Sequence, residues 1–305
     1  MSGITEKALD DFQAFERWLD KGRLLGSDVL YRGHGDSTWS LESTLYRHRR
    51  ALFPARDPAG DVPVARYADA AGNLQAIVET HTDWNFGDIA KSGDPFPVDT
   101  AGLSFRYAVY LRHHGFPSPL LDWSLSPYVA AYFAFRDAVA GIDARNGGED
   151  DEPRVAIYVM RPPKHPYMDH AAGRGVLLGE ETGIRYWPNA VKGENRHYNQ
   201  QSAYTTAMNY NHPDRGRGGA YCYVSHEYLL RNFPQQVAPG ANYVTHDNAI
   251  DGEICWKLTL PHQERDDVLQ RLDRMNLNAY TLFRTEDALV NAYGQRELRR
   301  MLNTV

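Results

Sequence analysis

The stretch from Leu120 to Phe135, LLDWSLSPYVAAYFAF, leaves the chain fewer conformations than any other part of it. Ser126 has the side chain of a helix N-cap, and Pro127 suits a first turn, where its missing N–H costs nothing. An apolar run from Tyr128 to Phe135 follows, so a buried helix is predicted to begin at Pro127. The amides at such a start favour anions and polar ligand groups. Asp122 precedes the cap by four residues and lies between Leu121 and Trp123. It is expected at a turn, inside the protein or on the floor of a cleft, and a buried acid needs a partner. That partner is a helix amide, a ligand donor or Arg32. Taken alone, the segment reads first as a capped core helix with Asp122 as a structural acceptor.

Other elements follow from periodicity. Phe12, Phe15, Trp18 and Leu19 recur at helical spacing and predict a helix from Ala8 to about Gly22. Asp28 to Arg32 reads as a short strand ending at Gly33, and Ala65 to Thr82 as a helix. A loop at Lys91 to Thr100 and a helix from Leu103 to His113 come next, with a charged loop from Ala140 to Pro153. Val155 to Met160 is apolar and rich in β-branched residues, which suits a central strand. Asn209 to Ala220, NYNHPDRGRGGA, carries the strongest loop signal. Ile254 to Leu260 reads as a strand, His262 to Met275 as a helix, Tyr280 to Phe283 as a last strand and Glu286 to Leu302 as a closing helix. The strands are few, separated and mixed with helices, and no Gly-x-Gly-x-x-Gly follows one of them. The expected fold class is therefore α+β, one compact domain over residues 1–305 with a small mixed or antiparallel sheet flanked by helices.

Composition narrows the function classes. A net charge of −6 over 305 residues gives no global footprint for a nucleic-acid binder, although a local basic patch is compatible with it. Cys222 and Cys255 are too few for a secreted disulfide scaffold and lack metal-ligand spacing. The start, MSGITEKALDDF, has no apolar signal core, and nowhere do 18 apolar residues run together. A soluble cytoplasmic protein without a membrane partner is expected. There is no Gly-x-Ser-x-Gly elbow, Walker loop or His-Glu-x-x-His helix, so no metal is expected.

Two further segments bear groups suited to ligands. Arg32 stands at a predicted strand end between Tyr31 and Gly33. Its guanidinium can fork onto a phosphate or carboxylate, with Gly33 allowing close approach, or it pairs with an acid such as Glu42 or Asp28. Asn195 to Thr205, NRHYNQQSAYT, is either a solvated loop or a polar recognition segment, since Gln200 and Gln201 can each donate and accept.

Four segments occur in a telling order: Tyr31-Arg32-Gly33, HHGFPSPLLDWSLSPYVAAYFAF, RHYNQQSAY and LQRLDRMNLNAYTLFRTEDAL. Together they resemble the FRG domain, a bacterial and phage-encoded family named for its Phe/Tyr-Arg-Gly triplet, over roughly residues 11 to 300. The chain departs from the family pattern twice. Ser118-Pro119 stands where members carry Thr-Arg, so a basic ligand contact is either missing or supplied by Arg112 or Arg106. Gln200-Gln201-Ser202-Ala203-Tyr204 stands where members carry Gln-x-Gly-x-Phe.

The order of elements in FRG domains is similar to that of ADP-ribosyltransferases of the Arg-Ser-Glu type, which implies a split sheet and NAD as the substrate. By that similarity Arg32 holds the phosphates or ribose, and Asp122 and Ser124 shape the pocket. Gln200 or Gln201 stands where the family has an acid. Asp122 then takes over the electrostatic role, with Glu253 as the reserve acid. Tyr31, Gly33, Trp123 and Tyr204 complete the NAD-contacting set. The resemblance implies transfer of ADP-ribose to a protein or RNA, with DNA disfavoured by the net acidity, by a toxin or antiphage effector paired with an antitoxin or other regulatory partner. Two alternatives stand beside it: a non-catalytic module that recognises a nucleotide or nucleic-acid end, and an NAD glycohydrolase with water as acceptor.

Overall fold

A computed structural model describes residues 3–22, 29–52, 61–86, 105–138, 152–161, 174–177, 182–187, 195–214, 217–236 and 255–302. Through the first half the chain forms β1 (Thr5–Ala8), α1 (Phe12–Lys21), β2 (Leu30–His34), α2 (Thr44–Leu52), β3 (Val62–Pro63), α3 (Val64–His81), α4 (Phe105–His113), β4 (Leu121–Ser124) and α5 (Pro127–Arg136). The second half adds β5 (Arg154–Met160), β6 (Arg174–Leu177), β7 (Thr182–Trp187), α6 (Asn195–Asn199), β8 (Ser202–Asp214) and β9 (Arg217–Tyr223). It closes with α7 (His226–Gln236), β10 (Cys255–Pro261), α8 (Arg265–Arg274), α9 (Ala279–Phe283) and α10 (Glu286–Leu302).

The strands join one mixed sheet in the order β1-β10-β5-β2-β4-β8-β7-β6, with β9 and then β3 branching from β8. β1 runs parallel to β10, and the neighbours along the rest of that path are antiparallel. This is the mixed α+β class the sequence predicts. β5 shows why its six apolar residues run together. Val155, Ile157 and Val159 point into a core built with α1, α5 and α8, while Ala156, Tyr158 and Met160 point into a second core that includes Leu229 and Leu230 of α7. A strand buried on both faces loses the polar alternation of a surface strand. A third core, rich in tyrosine, joins α3 and α4 to β8 and β9. No described helix is long and apolar enough to cross a membrane.

Several local expectations are corrected. Asp122 lies on a strand, β4, where it pairs across to Tyr204, and not at a turn. Tyr280 to Phe283 is helical: Asn278 caps α9 and exchanges a capping box with Thr281. A four-residue apolar run has too few positions to tell strand from helix, and here the cap decides. Asn209 to Ala220, expected to be a loop, belongs largely to the β8–β9 hairpin, whose register shifts between Asn209 and His212 and again before Asp214. Ladder hydrogen bonds satisfy this polar, glycine-bearing backbone, and the shifts absorb its irregularity. Asn195 to Thr205 is not a loop but α6 followed by the start of β8. β1, α2, β3, β6, β7 and α7 have no counterpart among the expected elements. The expected loop at Lys91 to Thr100 and most of that at Ala140 to Pro153 lie outside the described residues.

Candidate functional site

The site begins where two strands part. β2 and β4 pair at a single position, Tyr31 with Ser124. Beyond it the Arg32 guanidinium reaches across and donates from Nη1 to the Asp122 carbonyl oxygen at 2.6 Å. The side chain thus serves a backbone acceptor that a continuous ladder would have paired. Its Nε donates to His34 Nε2 at 3.1 Å. These contacts engage two of the five N–H donors of an arginine, and the remainder are left for the cleft that opens there.

That cleft has a volume of about 320 Å³ and lies among β2, β4, α4, α5, α6, the start of β8 and α9. Arg32, Arg112, Arg136 and Arg196 line it against Asp122 and Asp137, so cations outnumber carboxylates. Arg112 Nη2 donates to Asp122 Oδ2 at 2.6 Å. The Asp122 side chain is 36% exposed and lines the cleft, while its Oδ1 atom is buried. Burial works against its ionisation, but Arg112, Arg32 and His113 outweigh this and hold the carboxyl below its ordinary range. Burial lowers Arg32 to about 10, partly offset by Asp122, which still leaves it charged at neutral pH. At the rim the Arg136 guanidinium grips Asp137 through two hydrogen bonds of 2.7 and 3.0 Å. Its carbon centre stands 4.9 Å from the Phe133 ring centroid and 5.2 Å from that of Phe283.

One wall, from β2 and α5, is set by backbone packing. A Cβ on Gly33 would run into the Ala130 carbonyl oxygen and the Ala134 amide, and one on Gly35 into the Asp137 carbonyl. Gly33 therefore lines the cleft, but its conspicuous role is to let α5 lie directly on β2. The opposite wall is a hydrogen-bond network. The Tyr204 hydroxyl stands 3.1 Å from both His113 Nε2 and His197 Nδ1, and the His197 ring stacks on Tyr204. Arg196 Nη2 donates to the His113 carbonyl at 2.8 Å. Ser124 Oγ donates to the Gln200 carbonyl and accepts from the Ser126 amide, so its hydroxyl ties β4 to α6 and to the mouth of α5.

The structure brings most of the predicted residues together. Arg32, Asp122 and Gln200 line one cleft with Tyr31, Gly33, Trp123, Ser124 and Tyr204. Tyr31, Trp123 and Tyr204 are core residues that form its walls, and Trp123 Nε1 spends its proton on Thr205 Oγ1. Gln201 is absent from the lining. It is exposed, with a φ of 48°, and its carbonyl accepts from the Leu125 amide. Glu253 lies outside the described residues. Arg112 lines the cleft, whereas Arg106 lies over the Trp84 and Phe86 rings. Arg32 does not pair with Glu42, which meets Arg49 and Ser225.

Sequence reasoning missed Arg136, Arg196, His113, Phe133, Asp137 and Phe283. Each comes from a helix or helix end; His113, Phe133, Arg196 and Phe283 fall within segments quoted for the resemblance but give no individual signal there, and Phe283 was hidden further by the strand expected at its position. Cys222 and Cys255 are buried away from the cleft, and burial raises the Cys255 thiol, which fits neither with a nucleophile.

Comparison with known families matches residues 27–141 to the FRG domain. The matched stretch includes the Tyr31-Arg32-Gly33 triplet, α4, β4 and α5, and thus the arginine–aspartate half of the cleft. Gln200, Arg196, Tyr204 and Phe283 lie beyond it. No curated protein and no solved structure matches the chain.

Proposed function

We propose, from the premise that residues 27–141 carry an FRG domain, that this chain is an NAD-consuming enzyme that moves ADP-ribose to a macromolecular acceptor. The observation that carries the reading is the meeting of Arg32 and Asp122, 90 positions apart, at the split between β2 and β4 with an open cleft before them. Arginine forks suit the two phosphates of a dinucleotide, and the Phe133 and Phe283 rings suit a flat base. When the bond between nicotinamide and ribose breaks, nicotinamide leaves with the electron pair and the sugar becomes oxocarbenium-like. A carboxylate ionised at neutral pH, such as Asp122, stabilises that cation, as carboxylates do in glycoside cleavage. The acceptor nucleophile then bonds to the same sugar carbon and releases its proton to water. Gln200 orients ligand groups but supplies no charge. A toxin or defence role, protein or RNA as the acceptor, and a regulatory partner belong to the same reading.

A second reading has its own support. Asp122 Oδ2 is already held by Arg112 at 2.6 Å, which damps the negative charge it presents. A cleft in that condition suits recognition of a nucleotide or nucleic-acid end without turnover.

Mass spectrometry after incubation of the full chain with NAD and a cell extract separates the readings. ADP-ribose added to a macromolecule supports transfer, free ADP-ribose supports hydrolysis by water, and intact NAD supports recognition alone. Arg32→Ala and Asp122→Asn should each lower nicotinamide release by about a hundredfold or more. Release at the parent rate by both variants would overturn the assignment.

A further inference from the structure

We propose that His34 is a positioning residue for Arg32: its unprotonated Nε2 accepts from Arg32 Nε and fixes the plane in which the guanidinium meets the cleft. The inference rests on the reading of that cleft as an NAD site, and it assigns to a residue outside the cleft lining the orientation of the cation within it.

Side chains two apart on a strand share a face, so Arg32 and His34 of β2 lie side by side while Tyr31 and Gly33 face α5. An arginine can only donate. The 3.1 Å contact from Arg32 Nε to His34 Nε2 therefore requires a lone pair on Nε2 and assigns the ring proton to Nδ1. His34 is 6% exposed, and its ring packs edge-on to Tyr158 at 5.1 Å between centroids and beside Trp39. It has little freedom to turn. Nδ1 is buried and has no hydrogen-bond partner among the described residues.

Two anchors then define the guanidinium. His34 takes the Nε end and the Asp122 carbonyl takes Nη1, which fixes a planar group in both position and tilt. A carbonyl alone would leave it free to swing. Among the described residues, the charged groups that act on His34 are Arg32 on its own strand, Arg47 of α2 and Lys257 of β10, and the phenol of Tyr158 on β5 is its uncharged neighbour. Burial and these cations hold the imidazole well below its ordinary range, so the acceptor form persists through neutral and mildly acidic pH. A protonated ring would point a donor at a donor and release the arginine.

Nitrogen-15 NMR of the ligand-free protein tests this without reference to NAD. Expected are an unprotonated Nε2 on His34 from pH 6 to 8 and an exchange-protected Arg32 Nε–H signal. An Nε2–H tautomer or an imidazolium in that range would overturn the proposal. Titration with inorganic pyrophosphate supplies the functional arm. His34→Leu, which cannot accept, should weaken binding about tenfold, whereas His34→Gln, whose amide oxygen accepts, should stay within about threefold of the parent. Equal binding by His34→Leu and the parent would overturn it as well. Should His34→Leu fail to fold, the parent tautomer and His34→Gln still decide. Failure of the parent itself to bind pyrophosphate counts against the reading of the cleft, and the tautomer then decides the role of His34 alone.

Discussion

The two walls of the cleft are held by different physics. The β2–α5 wall rests on backbone contact: glycines at 33 and 35 let a helix of alanines and aromatics lie against a strand with no side chain between them. The α4–α6–β8 wall rests on polar contacts among His113, Arg196, His197 and Tyr204, joined from separate elements. The first cannot yield without moving backbone, and the second can lose one hydrogen bond and keep its shape. Arg32 belongs to the rigid wall and Arg112 to the adaptable one, and Asp122 stands between them holding both. On the proposed reading, a cation on a rigid element and its partner on a yielding one suit a site that has to admit a ligand and then grip it.

The largest effect should come from the rigid wall. Gly33→Ala forces a Cβ against helix backbone and should destabilise the protein by about 3 kcal/mol or more, seen as a fall in the urea midpoint. A midpoint equal to that of the parent would show that α5 can slide and that the wall is not rigid.

Next comes the residue both walls share. Asp122→Asn leaves the Arg112 and Arg32 charges without their carboxylate, at about 1–2 kcal/mol after discounting for its exposure. The sign of the pH effect follows from its depressed pKa in the folded state. That contribution is fully present above the unfolded value, ~3.9, and is lost as the pH falls through the folded one. The stability gap between parent and Asp122→Asn should therefore be constant above about pH 5 and close on acidification. A gap that widened toward low pH would contradict the ion pairing.

The polar wall should respond less. Tyr204→Phe removes the hydroxyl shared by His113 and His197 at about 1 kcal/mol, with faster hydrogen exchange in α4 and α6 and little change in α5. Equal loosening of α5 would show the walls to be one cooperative unit. The smallest change has the opposite sign. Gly72, inside α3 and away from the cleft, has nothing within 4 Å of an added Cβ, so Gly72→Ala should stabilise by about 0.5–1 kcal/mol. Thermal denaturation of the pair Gly72→Ala and Gly33→Ala separates packing need from intrinsic propensity.

The same contrast explains what could be read in advance. α5 begins where Ser126 and Pro127 announce it, with the Ser126 side chain accepting from Val129 N. β5, β10, α3 and α10 likewise follow apolar period and punctuation. Asp122 and Arg32 were legible as candidates because each interrupts an apolar context. That they touch was not legible, nor that Gly33 serves a helix more visibly than a ligand. α9 and the β8–β9 hairpin were misread because their decisive contacts, a capping box and a ladder, outrank weak local propensity.

The amino-acid sequence by itself determined the helix starts, the doubly buried strand and an arginine and an aspartate in unusual settings. Capping and periodicity act within about four residues along the chain, so they are written locally. Only the tertiary structure decided that Arg112, Arg136 and Arg196 would join Arg32 around Asp122, and that His34 would accept from Arg32. Those arginines come from α4, the end of α5, α6 and β2, and Coulomb and hydrogen-bond energies depend on distance in space, which local pattern does not carry.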